Sequence, residues 1–273
     1  MNIVVTGGEG FIGKYVQARC AELGIDAIPY DISDGFDILN YSRLEEFVHE
    51  EQADAIIHLA GALGTHELWD TTDKAIDVNI KGALNVGRAA HSRSARLVSI
   101  EQPHIWYNMY EATKFAAKRM LIGMHYDQGL SVEFVTAHNA YGPGQHHGEG
   151  HPQKIVPTFA SKAWAGEPIP IWGDGKQMVN LVYAGDVADK LVERAITQAP
   201  PRPHKEYHAG VDRLHSVLFL AEIINNYTVN DAGVEFLEMR RGEQGVGYPT
   251  PNKQYQYKFS YEKLYATVDS YRP

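Results

Sequence analysis

The sequence predicts an α/β protein with a doubly wound parallel sheet and a smaller C-terminal lobe that binds substrate. Short apolar runs rich in β-branched residues alternate with longer segments of helical spacing, as in successive βαβ units. A glycine-rich turn follows the first apolar run directly and opens the first helix. The length of 273 residues suits one large unit with a lesser lobe. Together these features indicate a Rossmann-like fold.

The alternation assigns the elements in chain order. The predicted strands are residues 3–6, 26–30, 55–59, 96–100 and 132–136. The predicted helices are residues 11–23, 42–51, 72–92, 107–128, 153–165 and 186–198. Beyond residue 200 the elements become short and rich in Tyr, Pro and Asn. We therefore expect residues 1–165 to form mainly the dinucleotide-binding domain and residues 166–273 mainly the substrate lobe, with residues 186–210 returning to the first part.

Composition excludes several classes of function. The net charge of −9 argues against a nucleic-acid partner, and no apolar run approaches the ~20 residues of a membrane span. The chain opens on a strand-like run, with no charged and apolar leader before it. The only cysteine, Cys20, cannot form an intrachain disulfide, which agrees with a reducing compartment. We expect a cytoplasmic protein.

The turn after the first strand has the GxxGxxG spacing of a dinucleotide site. Gly7 permits a tight turn, Gly10 lets the backbone approach a pyrophosphate, and Gly13 allows close contact between helix and strand. Phe11 and Ile12 begin the helix, whose N-terminus offers unpaired N–H donors and a positive dipole end. These residues are predicted to bind the cofactor.

The second strand ends at Asp31, where a carboxylate can accept hydrogen bonds from an adenosine ribose. It would repel a 2′-phosphate, and residues 32–35 contain no arginine to attract one. NAD is therefore the predicted cofactor. A solvated turn aspartate remains the alternative interpretation of Asp31.

Tyr110 and Lys114 lie at i and i+4 in a predicted helix and share one face. The phenol is a weak base at neutral pH, with its usual pKa near 10. A nearby ammonium and a positive nicotinamide ring favour the phenolate and lower that pKa. Tyr and Lys at this spacing are common on helix surfaces, so the motif alone is weak evidence. Its position after the fourth predicted strand is what favours a functional role.

The order of these motifs resembles the extended short-chain dehydrogenase/reductases, specifically the nucleotide-sugar epimerases and dehydratases. The resemblance rests on the glycine turn, Asp31, the sequence His58-Leu59-Ala60-Gly61, Asn79 and YxxxK. It extends to three later motifs, which are Asn139 to Gln145, Trp172 to Gln177 and Arg240 to Glu243. The resemblance implies further cofactor contacts at Asp37, Ile38, Leu59, Ala60, Gly61 and Asn79. It also implies a nucleotide-diphosphate sugar as substrate, with Asn139 near the diphosphate.

The sequence departs from this family at two positions. The family usually has Ser or Thr just after the fourth strand, to bond the reacting sugar oxygen, but alignment places Ile100 there and Ser99 one residue earlier. Val179 replaces an arginine expected to contact the diphosphate. Lys176, Arg213 and Arg240 remain as the candidates to neutralise a phosphate.

Three functions stay open at this point. The leading one is a 4-epimerase that forms a transient 4-keto sugar, with Tyr110, Lys114 and Ser99 or Glu101 as catalytic residues. The alternative is a 4,6-dehydratase, because Glu101 and Gln102 fall where the family's dehydratases carry an acid–amide or acid–acid pair. A third is an NAD-binding sensor of the same fold without turnover.

The resemblance also implies a homodimer that pairs through helices 72–92 and 107–128. No metal site is expected. His146, His147, Glu149 and His151 lie in a Gly/Pro loop without the helical spacing of a zinc motif, which favours a substrate loop.

Overall fold

The computed structural model describes residues 1–103, 106–148, 151–243 and 255–273. The strands are β1 (Asn2–Thr6), β2 (Asp26–Tyr30), β3 (Ala55–His58), β4 (Arg96–Glu101), β5 (Val132–Ala137), β6 (Asn139–Tyr141), β7 (Ile169–Trp172), β8 (Met178–Val179), β9 (Leu181–Tyr183), β10 (Tyr207–Ala209), β11 (His215–Ser216) and β12 (Val234–Leu237). The α-helices are α1 (Phe11–Glu22), α2 (Tyr41–Glu50), α3 (Thr72–Ile76), α4 (Ala83–Arg93), α5 (Met109–Gln128), α6 (Ile155–Trp164), α7 (Ala184–Ile196), α8 (Val217–Thr228) and α9 (Tyr261–Asp269).

The central sheet has six parallel strands in the order β10-β5-β4-β3-β1-β2. Helices α2, α4 and α5 pack their apolar residues on one face of this sheet, and α1 and α7 pack on the other. The predicted doubly wound α/β fold is therefore confirmed. Because all six strands run the same way, their carboxyl ends meet at one edge, where such folds bind ligands.

Residues 72–92 are helical throughout, as predicted. Between α3 and α4, however, the segment Asp77–Gly82 is a π-helix. The helix predicted from residue 107 begins at Met109 instead. Asn108 caps it, since its side-chain oxygen accepts a hydrogen bond from the Glu111 N–H at 2.9 Å. This cap fixes the start of the helix one residue before Tyr110.

A separate apolar cluster forms the smaller lobe. It gathers buried residues of α6, α8 and α9 around the parallel pair β7 and β12, with β9 at its side. The sequence analysis expected only short elements beyond residue 200, whereas α8 has 12 residues. The strand β10 joins the central sheet beside β5. Within the described residues, no helix combines the length and the apolar character that crossing a bilayer requires.

Candidate active site

The turn between β1 and α1 is closed by contacts that only glycine permits. Gly7 has φ +74°, and a Cβ there would lie 2.7 Å from the backbone nitrogen of Ala60. A Cβ on Gly13 would lie 2.3 Å from the carbonyl oxygen of Gly8. These two contacts hold the start of α1 against the end of β1 and the end of β3.

The N-terminus of α1 is open to an anion. Gly10 is the N-cap, no side chain caps the helix, and its first turn has no acidic residue. The backbone N–H groups of Phe11, Ile12 and Gly13 therefore keep their donors and the positive end of the helix dipole. This arrangement fits a pyrophosphate.

Asp31 is tied to the same corner of the sheet. Its Oδ2 accepts from the backbone N–H of Glu9 at 3.0 Å, and its Oδ1 accepts from the N–H and the hydroxyl of Ser33, each at 3.0 Å. These bonds fix the carboxylate between the glycine turn and the end of β2. A carboxylate offers about four acceptor sites, so ribose hydroxyls can still bind.

The predicted adenine contacts, Asp37 and Ile38, are placed differently from each other. The Oδ1 of Asp37 accepts from the N–H of Leu39 at 2.8 Å and shapes the loop locally. The side chain of Ile38 is buried in the core, against Gly82. A Cβ on Gly82 would lie 2.4 Å from the Ile38 Cδ1, so Ile38 can offer a ligand only its backbone.

Asn79 joins the end of β3 to the helix α5. Its Oδ1 accepts from the Ala62 N–H at 2.7 Å, and its Nδ2 donates to the Ala62 carbonyl at 3.1 Å and to the Thr113 hydroxyl at 3.0 Å. The buried amide is thereby satisfied within the protein. Asn79 thus positions the segment Leu59, Ala60 and Gly61 relative to the helix. The Asn79–Thr113 bond has no signature in the sequence, since the two residues are 34 apart.

Tyr110 and Lys114 face inward at the start of α5. Tyr110 packs against a small apolar cluster formed by Ala62, Leu68 and Ala75. Lys114 is 5% exposed. The bonds of Asn79 to Thr113 and Ala62 tie their helix to the segment after β3, whose residue Ala60 lies against Gly7.

The electrostatic surroundings of Tyr110 differ from the sequence-based expectation. Burial raises the pKa of its phenol, and the carboxylates of Glu101 and Glu111 raise this pKa further. The expected lowering of the pKa by Lys114 does not outweigh them. Burial has the largest effect on this pKa, and the two acidic neighbours, which the i,i+4 argument ignores, add to it.

The fourth strand presents Ser99 and Glu101 to α5 and turns Ile100 away. Val98 and Ile100 pack in the cluster beneath α1 and α7, while Leu97 packs in the cluster beneath α5. Side chains alternate along a strand, so Ser99 and Glu101 lie on the same face as Leu97.

Glu101 is the most perturbed carboxyl of this site. It is 3% exposed, and burial raises its pKa to about 7, against the opposing effect of Lys114 and Lys118. Its Oε2 and the Nε2 of Gln102 are buried without a hydrogen-bond partner in the described part of the chain. These two orphaned atoms, on consecutive residues, indicate a place for a polar ligand.

The residues predicted to grip a diphosphate do not converge. Asn139 is exposed at the start of β6, and the side chain of Lys176 is 82% exposed beside Asp174. Arg213 is also exposed to solvent. Only Arg240 is partly enclosed, stacked 4.5 Å above the ring of Trp172. Val179 is buried in the apolar cluster of the small lobe.

The turn that follows β12 bridges the two cores. Glu243 binds Arg240 at 2.6 Å and accepts from the Thr65 hydroxyl at 2.7 Å. The carbonyl of Gly242 accepts from the side chain of Asn108, the cap of α5, at 3.1 Å. The turn therefore fixes Arg240 close to the start of the helix that carries Tyr110.

Lys154 is a partly buried cation that the sequence analysis did not identify. It precedes α6, and burial together with the positive charge of Arg240 lowers its pKa, while Glu67 and Glu243 oppose that shift. No motif distinguishes it in the sequence, because only the fold brings it beside Arg240.

Comparison with known proteins identifies the family. The sequence profile of the NAD dependent epimerase/dehydratase family matches residues 3–101 and 103–210. The chain belongs to this family. The resemblance inferred from the sequence motifs is confirmed.

Curated relatives of this epimerase/dehydratase chain catalyse more than one reaction. The dTDP-glucose 4,6-dehydratase of Haemophilus influenzae is 26% identical over 242 residues, which cover 68% of this chain and 68% of the relative. The UDP-glucuronic acid decarboxylase 4 of Arabidopsis thaliana is 24% identical over 269 residues, covering 86% of this chain and 59% of the relative.

Solved structures of similar fold include two epimerases. The UDP-glucose 4-epimerase of Thermus thermophilus, in complex with NAD, has a TM-score of 0.87 at 21% identity, covering 100% of this chain and 99% of the other. The UDP-glucuronic acid 4-epimerase of Bacillus cereus has a TM-score of 0.86 at 19% identity over the same shares. At these identities the likeness shows the fold.

NAD is the cofactor of this family, and the residues of the epimerase/dehydratase chain fit it. The uncapped N-terminus of α1 suits the pyrophosphate and Asp31 suits the adenosine ribose. Within the described residues, no three His, Cys, Asp or Glu side chains cluster as metal ligands would. Glu149 of the histidine-rich loop lies outside these residues.

Proposed function

We propose that this chain is a nucleotide-sugar 4-epimerase that oxidises its substrate transiently at C4. The observation that supports the proposal is the placement of Tyr110. It stands in the first turn of α5, and Asn79 connects that turn to the end of β3, against which Gly7 packs. The phenol therefore lies at the carboxyl edge of the sheet, beside the dinucleotide turn.

Each residue of this group has a defined task. NAD, when bound, supplies the oxidising power by accepting the C4 hydrogen with its electron pair and later returning it. Tyr110 takes the proton of the C4 hydroxyl and gives it back. Lys114 holds the cofactor ribose and supplies positive charge beside the phenol. The 4-keto sugar can then be reduced from its other face, which inverts C4.

The residues proposed to bind the diphosphate are Arg240 and Asn139. Arg240 is preorganised by Glu243 and Trp172 at the boundary between the two cores. Lys176 and Arg213 stay proposals of lower weight, since both extend into solvent.

Replacement of Tyr110 by Phe tests the proposal. We expect loss of epimerisation of UDP- and dTDP-hexoses by about 10²–10⁴-fold, because general base catalysis typically contributes that much. NAD affinity, measured by calorimetry, should stay near that of the wild type. A chain that binds NAD but converts no sugar nucleotide even in its wild-type form would support the sensor alternative.

A 4,6-dehydratase is the second candidate, and Glu101 favours it. A carboxyl that keeps its proton near neutral pH, with an orphaned oxygen beside the orphaned amide of Gln102, can serve as an acid that protonates a departing 6-hydroxyl. Mass spectrometry of the product distinguishes the reactions. An isomer of unchanged mass indicates epimerisation, and loss of one water indicates dehydration.

We also propose a cytoplasmic homodimer. Helix α5 exposes Phe115, Met120 and Tyr126, with exposed fractions of 48%, 48% and 67%. Exposed apolar side chains repeated along a helix are typical of a helix-pairing surface. Cys20 is a buried free thiol, which suits a reducing compartment.

A further inference from the structure

We propose that Glu101, as a neutral carboxylic acid, donates a hydrogen bond to the C4 oxygen of the sugar. In this role it replaces the serine or threonine hydroxyl that related enzymes use. The inference rests on the proposed C4 oxidation, and it holds for an epimerase and for a dehydratase alike. It assigns the carboxyl to the first step, in which the keto group forms.

The direction of the side chains along β4 excludes Ile100 from this role. Ile100 packs with Val98 in the cluster beneath α1 and α7, on the far side of the sheet from Tyr110. Apart from the apolar Leu97, only Ser99 and Glu101 on this strand lie on the face that α5 covers. A polar partner for the C4 oxygen on β4 must therefore be one of these two.

Ser99 lies deeper in the sheet than Glu101 does. It pairs in register with His58 on one side and Phe134 on the other, within the body of the sheet. Glu101 is the last residue of β4, about 6–7 Å nearer the edge where ligands bind. Its longer side chain also lies within electrostatic reach of Tyr110.

One oxygen of the Glu101 carboxyl group is available to donate or accept a hydrogen bond. Its Oε2 is buried without a hydrogen-bond partner among the described residues, and Glu101 as a whole is only 3% exposed. Buried polar atoms in native proteins are almost always hydrogen-bonded, so an orphan beside a reactive phenol points to a ligand atom. The C4 oxygen that Tyr110 deprotonates is the nearest chemical match.

The charges around Glu101 decide its protonation. Tyr110, Lys114 and Lys118 face it from α5, and His58 lies on the neighbouring strand β3. Burial outweighs the two lysines and raises the pKa of Glu101 to about 7. His58 adds no positive charge, because burial and Lys114 lower its pKa to about 3.

Protonated Glu101 helps the oxidation in two ways. It supplies an O–H donor, as other enzymes do with a buried neutral carboxylic acid. It also removes the negative charge that otherwise raises the pKa of Tyr110. Glu101 keeps its proton throughout the step, since the proton of the C4 hydroxyl passes to the Tyr110 oxygen and the C4 hydrogen leaves with its electron pair to NAD.

The test compares Glu101→Gln with Glu101→Leu in the NAD-loaded enzyme. Gln keeps an N–H donor that does not titrate, and Leu fills a similar volume without a donor. The readout is the first-turnover absorbance of reduced nicotinamide after mixing with UDP- and dTDP-hexoses, because it reports C4 oxidation before any later step. Melting temperature and NAD affinity check that each variant folds, and Glu101→Met replaces the Leu variant if that one does not.

We expect Glu101→Gln to stay within about tenfold of the wild type and Glu101→Leu to lose about 10²–10³-fold, as removal of one donor to a developing oxyanion does. The wild-type rate should fall as pH rises through 7, and the Gln variant should lack this limb. The carbonyl band of the neutral acid in difference infrared spectra should disappear from the wild type over the same pH range.

Three outcomes overturn the inference. Normal NAD reduction in Glu101→Leu excludes the donor role while leaving the proposed function intact. A large loss in Ser99→Ala with little loss in Glu101→Leu assigns the role to the serine instead. Absence of NAD reduction in the wild type with every sugar nucleotide overturns the proposed function, and this inference with it.

Discussion

The ionisation of Glu101 couples pH to folding. Its pKa rises from an ordinary carboxyl value of 4.5 to about 7 in the folded chain, so the native state binds its proton more tightly than the unfolded state does. The stabilisation from this proton is fully present below pH 4.5 and is lost as pH rises through 7. The direction is opposite to that of an ion-paired carboxylate.

We therefore predict that Glu101→Gln removes this pH dependence. Between pH 5 and pH 8 the free energy of unfolding of the wild type should fall relative to the variant by on the order of 2 kcal/mol. Urea denaturation of both proteins across this range measures the difference. Parallel stability curves would show that Glu101 ionises in the native state as an ordinary glutamate.

For single residues, the sequence indicates which ones belong to the site better than it indicates what each one does. The positions of Tyr110 and Lys114 follow from helical spacing alone, and the glycines follow from a turn that admits no Cβ. The roles of Asn79 and Ile38 do not follow from the sequence. Each depends on a contact across the fold, which Asn79 makes with Thr113 and Ile38 makes with Gly82. The direction of Ile100 required knowledge of which sheet face α5 covers.

Among the elements, the turn from β1 to α1 is the most constrained. A Cβ on Gly13 would meet the backbone oxygens of Gly8 and Gly7 at 2.3 and 2.5 Å, and backbone atoms cannot move aside as side chains can. We predict that Gly13→Ala weakens NAD binding at least about tenfold, since the N-terminus of α1 must shift.

Isothermal calorimetry with NAD measures this effect, and Gly123→Ala is the matched control. A Cβ on Gly123 of α5 meets nothing within 4 Å, so this variant should bind NAD normally and gain about 0.5–1 kcal/mol of stability from helix propensity. Equal NAD affinities for the two variants would contradict the assignment of the turn.

A buried charge network fastens the outer edge of the sheet. Glu133 of β5 is fully buried and accepts from Arg194 of α7 at 2.9 Å, from Arg96 of β4 at 3.2 Å and from the hydroxyl of Tyr207 on β10 at 3.2 Å. We predict that Glu133→Gln costs about 3–5 kcal/mol of unfolding free energy, because it leaves buried guanidinium groups uncompensated.

Urea denaturation tests this, with Glu46→Gln as the control. The ion pair of Glu46 with Arg43 is on the surface, where the Glu46 side chain is 61% exposed, and its loss should cost less than about 1 kcal/mol. Similar losses of unfolding free energy in the two variants would show that the Glu133 network does not stabilise the sheet edge.

The first four strands of the central sheet were predictable because each is followed by a helix with its own apolar period. The small lobe was not. Its strands β8 and β11 have two residues each, too few for a period. Helix α8 is apolar over most of its length, Val217–Thr228, so no amphipathic pattern distinguishes it from a loop-bounded strand. The division of the chain near residue 165 stays a prediction.

In the whole molecule, α5 connects the central sheet to the smaller lobe. Its cap, Asn108, binds the turn after β12, and its fourth turn packs Leu121 into the core beneath the sheet. The opposite side of the same helix carries the exposed residues Phe115 and Tyr126. One helix thus holds the reactive phenol on its inner side and the proposed subunit contact on its outer side.

We predict that the wild type is a dimer of twice 30.5 kDa by light scattering and that Phe115→Glu shifts it to the monomer. A carboxylate at the centre of an apolar helix contact must be desolvated there without a partner, which costs more than a weak interface supplies. The control is Phe219→Glu on α8, where the phenylalanine is 41% exposed, against 48% for Phe115. This variant should remain dimeric.

A monomeric wild type, or dissociation by both variants alike, would show that α5 does not form the contact. Because Tyr110 lies on the same helix, a monomeric Phe115→Glu protein that keeps its NAD affinity but reacts more slowly would indicate that pairing holds the phenol in place.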